Sequence, residues 1–260
     1  ALKCPAYPFL PARLHSFYYW RAPQASVCAY VHSAPQGHGQ VSPCEKRRKF
    51  VVFTMVVHAP GQEPKVERIA KVISNVTIPT VFSAIVFLII SLHAEAYFLR
   101  GVLVTVICWL TASVLPAAYV LRLVRQKRVS DKHVPIREQR TRPYLVATVC
   151  YALGLVLVKA VGAPFPVWGL MWCYVVNTLV LALINLRWKM SAHAMGAAGA
   201  LAGLTYALGM AVAPSFFLVL VVGWARIRLR AHTVAQVVAG ALAGAGLTFV
   251  QLHLLARLFG

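Results

Sequence analysis

Beyond residue 71 the apolar positions come in long unbroken blocks, without the period of a strand or of a surface helix. Seven blocks can be drawn, at roughly 72–92, 99–121, 144–162, 165–186, 193–212, 214–225 and 232–256. A helix rises 1.5 Å per residue, so about 20 uncharged residues cross a hydrocarbon layer of about 30 Å. The pattern predicts an all-α fold, a polytopic integral membrane bundle of six or seven transmembrane helices. The sixth block is the shortest, because Arg226 closes it early.

Residues 1–54 interrupt this regularity. They are rich in Pro, His and aromatic residues, have no acidic residue before Glu45, and contain no apolar run of spanning length. They also lack the charged start, apolar stretch and small-residue cleavage site of a secretory signal. We expect a disordered extension, or sequence upstream of a true start at Met55. A polar leader (55–71) and a membrane-embedded domain (72–260) follow.

Small residues single out two blocks. Gly199/Gly203 and Gly240/Gly244 are Gly-x-x-x-Gly pairs, which let helix backbones approach closely in lipid. His193 and His232 open these same two blocks, so close packing would bring the histidines near each other. Parity agrees: two spans separate the basic loop 122–143 from His193, and two more separate His193 from His232. All three segments therefore share one face. The loops around 163–165 and 213–215, on the other face, have no Lys or Arg.

Charge sharpens the picture. The 260 residues include 26 Lys and Arg against 6 Asp and Glu, a formal charge of +20. These cations lie between apolar blocks, with no aromatic-interleaved basic domain, so the expected partner is the lipid bilayer and not nucleic acid. The six cysteines (Cys4, Cys28, Cys44, Cys108, Cys150, Cys173) show no Cys-x-x-Cys spacing. Neither a metal site, a cofactor nor a disulfide framework is expected.

Histidines among Arg and Lys, with almost no carboxylate, suit phosphate chemistry. Guanidinium forks match phosphate oxygens bidentately. Ser191 and His193 sit at a helix start, where free N–H groups favour an anion. One neutral imidazole can attack phosphorus while a second, protonated one donates to the leaving alkoxide. Gln236, four residues after His232, lies on the same helical face, and its oxygen can accept the Nδ1 proton.

Three segments carry a family resemblance: Arg142-Pro143, Ser191-Ala192-His193, and Arg226 followed after five residues by His232 and after three more by Gln236. Together they resemble the type 2 phosphatidic acid phosphatase superfamily, whose motifs are Lys-x6-Arg-Pro, Pro-Ser-Gly-His and Ser-Arg-x5-His-x3-Asp. The resemblance implies that His232 forms a phosphohistidine and His193 protonates the leaving group. Arg226, Ser191 and one or more of Arg137, Arg140 and Arg142 would hold the phosphate. Five positions depart from the motifs: Pro135 stands where the Lys would fall, Met190 and Ala192 replace Pro and Gly, Ala225 replaces Ser, and Gln236 replaces Asp. The last removes the charged partner that would raise the basicity of the nucleophile.

Blander readings exist for each residue. A lone rim histidine, such as His253, is usually interfacial, and Arg226, Arg228 and Arg230 alone would be topology signals. Most of loop 122–143 reads as a solvated cationic loop, with Asp131 and Glu138 in local pairs. The expected function is metal-free hydrolysis of a phosphomonoester or pyrophosphate headgroup on a phospholipid or polyprenyl phosphate. Phosphatidic acid, phosphatidylglycerophosphate and polyprenyl pyrophosphate are the candidate substrates. The alternatives are a catalytically degenerate lipid-phosphate binder or a small transporter. The resemblance points to a bacterial inner (plasma) membrane. The cation bias puts the site face in the cytoplasm, whereas relatives often work on the outer face, so the side stays open.

Overall fold

The structure, a computed structural model, describes residues 64–130, 134 and 136–259. The expected extension 1–54, most of the leader, Asp131 and Pro135 lie outside the described residues. Within them the chain is helical, without a strand. The helices are α1 (Lys65–Val76), α2 (Pro79–Ala94), α3 (Phe98–Trp109), α4 (Leu115–Arg125), α5 (Thr141–Ala160), α6 (Phe165–Asn185), α7 (Ala192–Leu208), α8 (Phe217–Arg228) and α9 (Val234–Phe259). Among the described residues five stretches are long and apolar enough to cross a membrane, or six if the pair α1–α2, bent by 52°, counts as one span. α7, the expected span at 193–212, has only 17 residues and is not one of them. Their outward faces carry large apolar side chains, such as Leu99, Val149, Leu220 and Leu242.

Three boundaries differ from the sequence pattern, each for a local reason. The leader is not simply polar: α1 starts at Lys65, packs against α8, and ends at Val76, capped by Thr77 ahead of Pro79, which opens α2. The second block is one rod from Phe98 to Arg125, interrupted by a π-helical turn at Leu110–Val114 just before Pro116. A proline lacks the N–H that an unbroken helix would use there, and the widened turn absorbs the defect. The fifth block stops at Leu208, because Gly209 takes φ 87°, where an L side chain would be strained. A 3-10 turn at Met210–Phe216 then runs straight into α8, giving a span of 19 residues from Met210 to Arg228.

α7 is the hub of the bundle. Its Ala- and Gly-rich surface is buried almost throughout, and it packs most extensively against α9, then α2. The glycine pairs contribute unequally. A Cβ on Gly240 would collide with the Ser191 carbonyl, and one on Gly244 would collide with the backbone of Met195. Gly199 faces the Gly244 carbonyl from the α7 side, but Gly203 faces Leu170 of α6. The close approach therefore involves three of the four glycines, and it lies at the ends of α7 and α9 that begin with the histidines.

The opposite end is not free of cations. Arg100 donates to the carbonyls of Val161 and Gly162 and pairs with Glu95, while Lys159 lies over the Trp168 ring. Both of these cations are thus engaged locally, and Arg257 in the last turn of α9 adds a third at that end. Cys108 and Cys173 are buried free thiols in the core.

Candidate anion site at the helix-start rim

The Arg-x5-His spacing has a local structural cause. At the end of α8 the Arg230 N–H donates to the Ile227 carbonyl and the Ala231 N–H to the Arg226 carbonyl, with Arg230 at φ 52°. This is a Schellman turn with a left-handed residue after the cap. It folds the chain back so that the His232 N–H also reaches the Arg226 carbonyl, at 3.4 Å. Arg226 and His232 thus lie side by side although six positions apart, and both are buried.

The next four residues form a capping box. The Thr233 hydroxyl accepts from the Gln236 N–H at 3.3 Å, and Gln236 Oε1 accepts from the Thr233 N–H at 3.3 Å. That reciprocal bond fixes which end of the amide is oxygen. The same Oε1 lies 3.1 Å from His232 Nδ1. An amide oxygen accepts only, so Nδ1 carries the ring proton and Nε2 keeps its lone pair. Nε2 is buried without a hydrogen-bond partner. Burial first, then the guanidinium groups of Arg140 and Arg226, and then Lys189, push the imidazole down to about 3 against an opposing pull from Gln236. At neutral pH the ring is an uncharged base surrounded by cations.

The start of α7 is tied to the start of α9. Ser191 caps α7, its Oγ accepting from the Ala194 N–H at 3.4 Å, and its own N–H donates to the Gln236 carbonyl at 3.2 Å. Ser191 is fully buried, so its hydroxyl serves the cap. His193, in the first turn, is buried nearby.

The three arginines around residue 140 separate. Arg140 is buried, with Nε donating to the Val134 carbonyl at 2.7 Å and Nη1 to Met190 at 3.5 Å. Arg137 instead bonds the Leu186 carbonyl at the end of α6 and pairs with Glu138 at 3.1 Å, which makes it a clamp on the loop. Arg142, which aligns with the motif arginine, is exposed. It occupies the first turn of α5 on the side away from the cluster, and Arg140 takes the inward place.

Two participants were not singled out from the sequence. Lys189 donates to the Ala231 carbonyl at 2.9 Å, and burial together with Arg140 and Arg226 holds its ammonium below the usual range. Its signal was visible, a cation four residues before His193. Ser74 of α1, buried, accepts from Arg226 Nη1 at 2.6 Å. Nothing in the local sequence marks a serine in a helix as the partner of an arginine some 150 positions away.

The two histidines open onto different spaces. His232 lies in an open depression with Lys189, Arg230, Thr233 and Gln236. His193 lines a cavity of about 400 Å³ between α2, α4, α5, α6 and α7, with Arg140 on its wall. Arg140 is thus the common element, bordering the cavity and acting electrostatically on His232. His253, at the far end, is exposed and bonded to the Phe249 carbonyl. No protein-family model, curated protein or solved structure matches the chain.

Proposed function

We propose that this protein is an integral membrane lipid phosphatase, a phosphoric monoester or diphosphate hydrolase working through a phosphohistidine on His232. The observation that carries the reading is His232 itself. Its Nδ1 proton is held by Gln236 and its Nε2 lone pair is buried without a partner, beside Arg140, Arg226 and Lys189. A neutral imidazole attacks, and the cations offset the charge of the phosphoryl oxygens in the transition state.

In the first step Nε2 forms a bond to phosphorus while the bond to the ester oxygen breaks. The departing alkoxide takes a proton from His193. In the second step water attacks the phosphohistidine, His193 accepts the water proton, the N–P bond breaks, and inorganic phosphate leaves with His232 restored. Phosphoryl transfer prefers attacking and leaving atoms in line. The reading therefore requires a phosphate beside Arg140 that His232 reaches from the depression and His193 from the cavity.

A specific observation also favours the second reading, a lipid-phosphate binder. Gln236 supplies no negative charge to stabilise the imidazolium, and its oxygen already serves the capping box. One experiment separates the two. Purified protein is given a lipid-phosphate panel, and phosphate release and acid-labile phosphoryl-enzyme are measured for wild type and His232→Ala. Hydrolase activity predicts release that vanadate inhibits and that His232→Ala lowers by at least about a thousandfold. Binding without release from any substrate would leave the binder, and release untouched by the substitution would remove the phosphohistidine.

A further inference from the structure

The cavity beside His193 has its charge at one end and a mainly apolar wall, in which the hydroxyl residues Thr80, Tyr151, Tyr174 and Thr178 are interspersed. Among the described residues that line it, Arg140 is the only charged one. Below that end the wall is built from Pro79, Pro116, Val120, Leu121, Leu181 and Ala200. Asn177 also borders it, with its amide donating to Thr248 at 2.8 Å and its oxygen accepting from Gln251 at 2.9 Å. Tyr174 also lines it, its Oη buried without a hydrogen-bond partner.

Size and shape narrow the occupant. Arg140 precedes α5 and Tyr151 lies eleven residues further along, which at 1.5 Å per residue places them about 16 Å apart along the axis. The volume is about 400 Å³. An apolar cavity of about 150 Å³ accepts one benzene, so on that scale the space holds about 16 carbons. That is one hydrocarbon chain, lying along α5 with its head at Arg140.

We infer that the cavity seats a single hydrocarbon chain, and that the ligand is a phosphate monoester of one chain and not a two-chain glycerophosphate. The inference rests on the phosphate being held at Arg140, as in the proposed function, and it narrows the substrate class of that same site. An alkyl or prenyl phosphate places its oxygen at the mouth between His193 and Arg140 and its first carbons among the small residues of α7. A diacyl lipid branches within a few atoms of its phosphate, so its second chain would have to lie outside the cavity, without the contacts that seat the first.

The test measures binding, independent of turnover, with non-hydrolysable phosphonates. The full chain in lipid nanodiscs is titrated with butyl, octyl and hexadecyl phosphonate and with a two-chain dihexadecanoyl phosphonate, by displacement of radiolabelled dodecyl phosphonate. Hexadecyl phosphonate is expected to bind about tenfold tighter than the two-chain compound. Ala147→Phe, which fills the cavity from α5, is expected to weaken hexadecyl phosphonate by about tenfold and leave butyl phosphonate unchanged. Ala200→Leu, from α7, repeats the measurement should the first variant have a lowered melting temperature. Equal or tighter binding of the two-chain ligand, or equal effects of the variants on butyl and hexadecyl compounds, overturns the inference. Phosphate release measured in parallel keeps the two readings apart. Chain-selective binding without release sinks the hydrolase and leaves this inference, and release without chain selectivity does the reverse.

Discussion

At the scale of single residues, Gln236 has two employers. Its oxygen closes the capping box of α9 and orients His232, and both jobs depend on the length of the side chain. An aspartate there would be one methylene shorter and would lose the reciprocal bond to Thr233. Glutamate keeps the length and adds the charge. Gln236→Glu is therefore expected to raise the His232 pKa from about 3 toward the ordinary value and to raise kcat about tenfold or more. For the proposed hydrolase, kcat/KM of the wild type is expected to follow the second ionisation of the substrate on the acid side, near pH 6. His232 stays unprotonated until near pH 3. The variant adds an acid limb of its own, visible in the pH profile. Stability carries the matching sign. The unfolded imidazole takes up a proton below about 6.5 that the folded one refuses, so stability is lost as the pH falls from there toward 3. Lys189 is the second residue-level test. Lys189→Gln removes a cation from beside His232, and loss of one charge-assisted contact of about 1.5 kcal/mol predicts about tenfold weaker inhibition by vanadate.

At the scale of elements, the site depends on how closely α7 and α9 approach. A methyl group on Gly244 would meet the Met195 carbonyl, and backbone cannot step aside as a flexible side chain can. Gly244→Ala is expected to lower stability by about 1–3 kcal/mol or more and to reduce activity, because the start of α9 positions His232 just ahead of it. Thermal unfolding together with a phosphate-release assay measures both. Gly246→Ala, where an added methyl meets nothing within 4 Å, is the matched control and should be neutral or slightly stabilising. The turn after α8 is the other element on which the site depends. A left-handed Arg230 converts an Arg-x5-His spacing into a side-by-side pair.

At the scale of the whole molecule, helix direction sorts the chain into two ends. α5, α7 and α9 begin at the site, and α4, α6 and α8 finish there. The cluster therefore sits where three helix N-termini and their partial positive charge converge. Cysteines introduced at Arg142, exposed beside the site, and at Met210, exposed beyond α7, lie at opposite ends. In a background without native cysteines, an impermeant maleimide is expected to label the first from one side of the membrane only and the second from the other. Labelling of both from the same side would contradict the parity of the bundle.

Apolar block length and the scarcity of carboxylates determined, from sequence alone, that the chain is helical and built of membrane-length elements. Both are one-dimensional properties, counted along the chain. Spacing also made the grouping of Arg226 and Gln236 with His232 legible, because caps, turns and helix faces repeat over a few residues. Other features depended on which distant surfaces meet, and only the tertiary structure decided them. It turned Arg140 inward and left Arg142 at the surface, although the two are separated by a single residue and look alike in sequence. It brought Ser74 to Arg226 by docking α1 on α8, and Lys189 to His232 by holding two loops together. It also opened the cavity, whose wall draws on five helices, and no local pattern records where five helices leave space between them.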